Sequence, residues 1–159
     1  MPLTIVATVD PARNRVDART TRDHEIAMAG APPEGDDDAA NPREALLAAL
    51  AGCSAMDVAS ILRKKRQQPT SYEVAVSAES ASEPPRVFTA VRVEHRVTGQ
   101  VEPEALRRSI ELSATRYCPV NAMLSRAVPI EHRYRLTDVT GVEHAALVAV
   151  SGPAGTRVA

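Results

Sequence analysis

Hydrophobic and polar positions alternate with period two in several short stretches of this chain. Leu3 to Val9, "LTIVATV", has the β-branched content of a strand, and "ARNRVDART" beyond Asp10-Pro11 reads as its hairpin partner. "YEVAVSAES" and "RVFTAVRVEHRVTG" alternate more strictly. Val87, Val91, Val93 and Val97 fall on one face, with Arg92, Glu94 and Arg96 on the other. With Pro84-Pro85 between them, they predict an antiparallel hairpin with one solvated face. Pro129 to Leu136, "PIEHRYRL", predicts a closing strand.

Elsewhere the pattern is helical. Asn41 is a good N-cap, Pro42 suits the first helical position, and Glu44 stands where a capping box needs it. The helix they open extends to Arg66, with a basic end, "RKKRQQ", that suits the dipole, and Pro69 as a stop. Its first half is apolar on all sides and is expected to be buried all round. "EPEALRRSIELSATRY" is amphipathic, with Leu106, Ile110 and Ser113 to Tyr117 on one stripe. Cys118-Pro119 opens a further short helix with Val120, Met123, Leu124 and Ala127 facing inward. Residues 29–40, rich in Pro, Gly and Asp, form a loop whose Asp36 to Asp38 run is solvated. The order is two strands, long helix, two strands, helix pair, strand, which makes the fold class α+β. Residues 1–137 form the domain. Residues 138–159 are a C-terminal extension, either frayed and flexible or adding a strand through Ala145 to Val150.

Composition narrows the function classes. The 159 residues suffice for one core, and the net charge of −1, mixed along the chain, argues against a nucleic-acid partner. The N-terminus lacks the features of a secretory signal, and the apolar run Ala45 to Met56 is interrupted and too short for a bilayer, so a cytoplasmic protein without membrane contact is expected. The aromatic residues are Phe88, Tyr72, Tyr117 and Tyr134 alone. A core of Ala, Val, Leu and Ile buries little area per residue and calls for a partner subunit. His24, His95, His132 and His144 are scattered, with no ligand-spaced motif, so no metal site is expected.

The chain has two cysteines, too few for a secreted disulfide framework. Cys118 occupies an N-cap position, where the helix dipole is expected to lower its pKa and favour a thiolate; packing as a small hydrophobe is the alternative. Cys53 lies in the apolar helix, where a free thiol is commonly core and desolvation makes it inert unless a cation or donor is supplied. Gly52 beside it admits close approach. Asp57, one turn on, opposes thiolate formation, so it orients another group, pairs with a base or faces water. If the two helical elements cross with Cα atoms within about 7 Å, the cysteines can form a disulfide.

"NPREALLAALAGCSAMDVASILRKKRQ" and "SATRYCPVNAMLSRAV", with the strand pair "EPPRVFTAVRVEHRVTG" between them, resemble the OsmC/Ohr family of osmotically inducible and organic-hydroperoxide-resistance proteins over residues 1–137. The resemblance implies an OsmC-like fold, with antiparallel sheets packed around two long central helices in an intertwined homodimer. It also implies reduction of organic hydroperoxides and hydrogen peroxide without metal or other cofactor. Cys53 would be peroxidatic and Cys118 resolving, and a lipoyl-type dithiol would recycle their disulfide. The family holds an arginine beside the first cysteine by a glutamate that commonly follows Asn-Pro directly. Here that position is Arg43, and Glu44 stands nine residues before Cys53, on the opposite face of a straight helix at ~100° per residue. Glu44 is therefore both a site candidate and a capping residue. Arg15 is the preferred arginine among Arg13, Arg15, Arg19 and Arg22, with Arg43 also a candidate. Two other readings stay open: a non-catalytic dimer of this fold that binds a small apolar or thiol-reactive ligand, and a scaffold whose cysteines only pack.

Overall fold

The computed structural model describes residues 2–159. The chain forms two compact units, the first ending at Ala48 and the second running from Ala49 to Ala159.

The first unit contains an antiparallel meander of β1 (Ile5–Asp10), β2 (Arg15–Thr20) and β3 (Glu25–Ala29), in that order. The first two strands form the expected hairpin. Asp10 Oδ1 closes the turn by accepting from the backbone N–H groups of Ala12 and Arg13, at 3.0 and 3.3 Å. The third strand is an addition to the sequence reading: "EIAMA" is too short to show a period, and it is specified by pairing with β2 from Arg15↔Ala29 to Arg19↔Glu25. Ala18 and Ala29 are the buried side chains of this sheet.

Helix α1 (Pro42–Lys64) begins as its capping signals require. Asn41 Oδ1 accepts from the N–H groups of Arg43 and Glu44, and Glu44 Oε2 accepts from the Asn41 N–H at 2.9 Å. That reciprocal pair satisfies donors the first helical turn leaves open.

In the second unit a five-stranded sheet has the order β4 (Gln68–Ser80), β5 (Phe88–Gln100), β6 (Ile130–Thr137), β7 (Glu143–Gly152), β8 (Gly155–Val158). β4 and β5 form the expected hairpin, with Val91, Val93 and Val97 buried on one face. Val87 lies outside the strand and is exposed. The expectation of purely antiparallel sheets is corrected: β5 and β6 are parallel, from Val91↔Ile130 to Thr98↔Thr137. The reason is the crossover between them. α2 (Pro103–Leu112), a π-helical segment (Ser113–Tyr117) and α3 (Pro119–Leu124) carry the chain back to the end at which β5 began. β6 does not close the sheet. Residues 143–158 supply two more strands, and Val148 and Ala149 of β7 are fully buried.

Among the described residues one helix is long, at 23 residues, whereas α2 has ten. α1 buries a single stripe, Leu50, Ser54, Val58 and Leu62, rather than its whole circumference. Val58 and Leu62 join Val97, Leu106, Ile110 and Leu136 in the core. Leu46 and Met56 stay exposed within this chain. By length and apolar composition the full helix, unlike Ala45 to Met56 alone, matches a bilayer span, a property it shares with the core helices of globular proteins.

Candidate redox site

The second unit brings the two cysteines together. Cys53 lies on the middle of α1. Cys118 is the N-cap of α3, in an extended conformation at φ −76° and ψ 104°. A residue before proline is pushed out of the helical region, so Pro119 makes this break local and obligatory. The π-helical segment ends against it, the Cys118 N–H donating to Ser113 O at 3.0 Å. Such segments recur at functional sites.

The Sγ atoms of Cys53 and Cys118 are 2.9 Å apart, and both thiols are free. The Cys118 S–H donates to Cys53 Sγ, while Cys118 Sγ accepts from the Asn121 N–H at 3.3 Å. Cys118 is buried and Cys53 is half-buried, so Cys53 is the more exposed residue of the pair.

The thiolate expected at Cys118 from the helix dipole is not what its surroundings favour. Burial pushes this thiol up to about 12, the bond to Cys53 and the charge of Asp57 act in the same direction, and only the Asn121 N–H opposes them. Desolvation outweighs the single cap donor of a six-residue helix.

Asp57 lies one turn after Cys53 on the same face of α1, and Ser113 Oγ donates to its Oδ2 at 3.0 Å. A ligating atom from each of Cys53, Asp57 and Cys118 lies within 4.8 Å of the other two. The sequence reading of scattered ligands missed this group. The Cys53–Asp57 spacing of four was a visible signal, but Cys118 joins only through the fold.

Behind the sulfurs runs a buried polar network. Asn121, rather than Met123, is the inward-facing side chain of α3. Its Nδ2 donates to Ala114 O at 2.8 Å and to Ser151 Oγ at 3.2 Å, and its Oδ1 bonds His132 Nε2 at 2.9 Å. Ser54, next to Cys53, bonds His95 Nε2 at 3.2 Å, and Tyr72 OH bonds His95 Nδ1 at 2.7 Å. Burial pulls both histidines down, His95 to about 3, with the nearby His132 adding to the effect, and His132 to about 4. Both imidazoles are therefore neutral; His95 bridges Ser54 and Tyr72, whereas His132 bonds Asn121 through Nε2 and its Nδ1 has no partner among the described residues.

Glu44 and Arg15 belong to the first unit. The Glu44 carboxylate closes the α1 capping box. The Arg15 guanidinium pairs with Asp17 at 2.9 Å and Asp38 at 2.7 Å.

The OsmC family model, described as OsmC-like protein, matches residues 35–133, which span α1, both cysteines and the β4–β5 hairpin. Protein YhfA of Escherichia coli strain K12 is 42% identical over 114 residues, covering 71% of this chain and 83% of that protein. Among solved structures, an OsmC-like protein from Mycoplasma pneumoniae superimposes with a TM-score of 0.73 at 16% identity, covering 86% of this chain and 97% of the other. An organic hydroperoxide resistance protein from Elizabethkingia anophelis gives 0.65 at 14% identity, covering 87% and 96%. These two likenesses establish the fold; the family match and the identity to YhfA establish kinship, and the chain belongs to the OsmC family.

Proposed function

We propose that this chain reduces organic hydroperoxides, and hydrogen peroxide, with Cys53 as the attacking thiol and Cys118 as the resolving one. The observation that carries the reading is the 2.9 Å separation of two sulfurs that lie 65 residues apart in sequence. Family membership and fold neighbours named for organic hydroperoxide resistance support it.

Cys53, as thiolate, attacks the terminal peroxide oxygen. An S–O bond forms, the O–O bond breaks, and the alkoxide takes a proton and leaves as the alcohol. Cys53 is oxidised to a sulfenic acid as the peroxide is reduced. Cys118 sulfur then attacks Cys53 sulfur, the S–O bond breaks, and hydroxide departs as water with the Cys118 proton. A lipoyl-type dithiol restores both thiols by exchange and becomes the cyclic disulfide. The retained proton on Cys118 suits this division: it is a weak nucleophile toward peroxide at neutral pH and carries the proton the leaving hydroxide needs. The Cys53 thiolate calls for a neighbouring cation. Glu44 is assigned to the helix cap.

The protein works as a cytoplasmic homodimer in this reading. Exposed Met56, Tyr117 and Met123 flank the cysteines in sequence and offer apolar surface for a second copy to cover. Light scattering is expected to return twice the chain mass of 17.0 kDa.

The test follows cumene hydroperoxide consumed by reduced protein with dihydrolipoamide. The parent is expected to turn over, Cys53→Ser to be inactive, and Cys118→Ser to accumulate a sulfenic acid on Cys53 that a dimedone probe traps. Parent turnover no faster than that of Cys53→Ser refutes the enzyme reading and leaves the ligand-binding alternative.

A further inference from the structure

The geometry points to a second use of the same side chains: with both thiols reduced, Cys53, Asp57 and Cys118 form a binding site for a soft divalent cation of the zinc type.

Two sulfurs and a carboxylate are a ligand set that zinc or cadmium accepts and that magnesium and calcium do not favour. Ideal Zn–S bonds of about 2.3 Å and Zn–O bonds of about 2.0–2.2 Å set tetrahedral ligand atoms roughly 3.3–3.8 Å apart. The three candidate atoms lie within 4.8 Å of one another, within about an ångström of the spacing a tetrahedral site needs, and the 2.9 Å sulfur pair has to open by about 0.9 Å. Cys53 can supply that movement, because it and Asp57 are half-buried on one helical face. The same partial exposure leaves the fourth vertex to water.

The supporting contacts also fit. Ser113 Oγ holds Asp57 by Oδ2, and the other carboxylate oxygen takes no hydrogen bond among the described residues. The Asn121 N–H steadies Cys118 Sγ from behind. Partners of this kind orient ligands in metal sites. Asp57 itself gains an explanation. Beside a dication its negative charge helps, with the two thiolates, to balance the metal's charge.

Binding replaces the two S–H bonds by two metal–sulfur bonds and releases two protons to solvent, with no change of oxidation state. Oxidation of the pair to a disulfide removes both sulfur ligands, so the cation leaves. The site itself requires only reduced thiols. Its consequence for peroxide chemistry, protection of both sulfurs while the cation is bound, rests on the reading above.

The test is titration of reduced protein with Cd²⁺, followed by the ultraviolet sulfur-to-cadmium charge-transfer band, and with Zn²⁺ against a chromophoric chelator. One equivalent of either ion is expected to bind. Cys53→Ser and Cys118→Ser are expected to lose the cadmium band, and Asp57→Ala to weaken zinc binding about tenfold or more. Parent protein oxidised to the disulfide with diamide, whose sequence is unchanged, is expected to bind neither. Circular dichroism shows that each variant is folded before it is scored. Absence of a band in the reduced parent, a band retained by Cys53→Ser, or undiminished zinc affinity in Asp57→Ala overturns the assignment. No peroxide enters these measurements, so an inactive protein that binds cadmium and an active one that does not are distinguishable results.

Discussion

Mild acid should destabilise this protein through two histidines that the fold holds neutral. His95 and His132 are essentially inaccessible, at 0% and 1% exposure, and burial holds them at about 3 and about 4. An unfolded histidine titrates near 6.5. The sign follows from proton counting. Below pH ~6.5 the unfolded chain binds two protons that the folded chain refuses, so stability is full above that value and falls as pH drops toward 4 and then 3. At pH 5 each histidine costs about 2 kcal/mol and the pair about 4 kcal/mol, against a total stability of about 5–15 kcal/mol for an ordinary domain. Urea unfolding at pH 7, 6 and 5 measures this directly. The free energy should fall by about 4 kcal/mol over the interval, with a slope approaching two protons per molecule. The window lies above the range in which carboxylates matter: Asp138, held low by Thr140 and His144, contributes only in stronger acid. A change of less than about 1 kcal/mol between pH 7 and 5 would refute the argument, since it would mean the imidazoles protonate in place.

Asn121→Ala removes three side-chain hydrogen bonds and strands His132, and should cost about 2–4 kcal/mol in urea unfolding. Glu44→Ala should cost about 0.5–1 kcal/mol as a lost cap and leave peroxide turnover unchanged; a turnover loss with the fold intact would return Glu44 to the active site. Leu62→Ala, in the core stripe of α1, should lower stability by about 2–5 kcal/mol. Gly99→Ala places a Cβ 2.5 Å from Thr70 N at φ +128° and should lower the melting temperature of the β4–β5 hairpin region and its chain together.

What could be read from the chain alone was decided by forces acting over a few residues. The Asn41–Glu44 capping box, the β-branched alternation through Val91, Val93 and Val97, and the extended turn at Cys118-Pro119 need only their neighbours. They place both cysteines on the right elements. Other features belong to contacts across tens of residues. The parallel pairing of β5 with β6 arises from where the crossover returns the chain. The burial of Val148 and Ala149, in a segment that also read as a loose tail, comes from their place in one core with Leu62, Leu106, Ile110 and Leu136. Local reasoning was reversed outright at Cys118. A helix N-terminus favours a thiolate wherever water can reach it, but the packed chain removes the water and sets Asp57 close by. Desolvation and charge depend on what surrounds an atom in space, and the sequence order of residues 53, 57 and 118 does not contain that distance; only the folded second unit does.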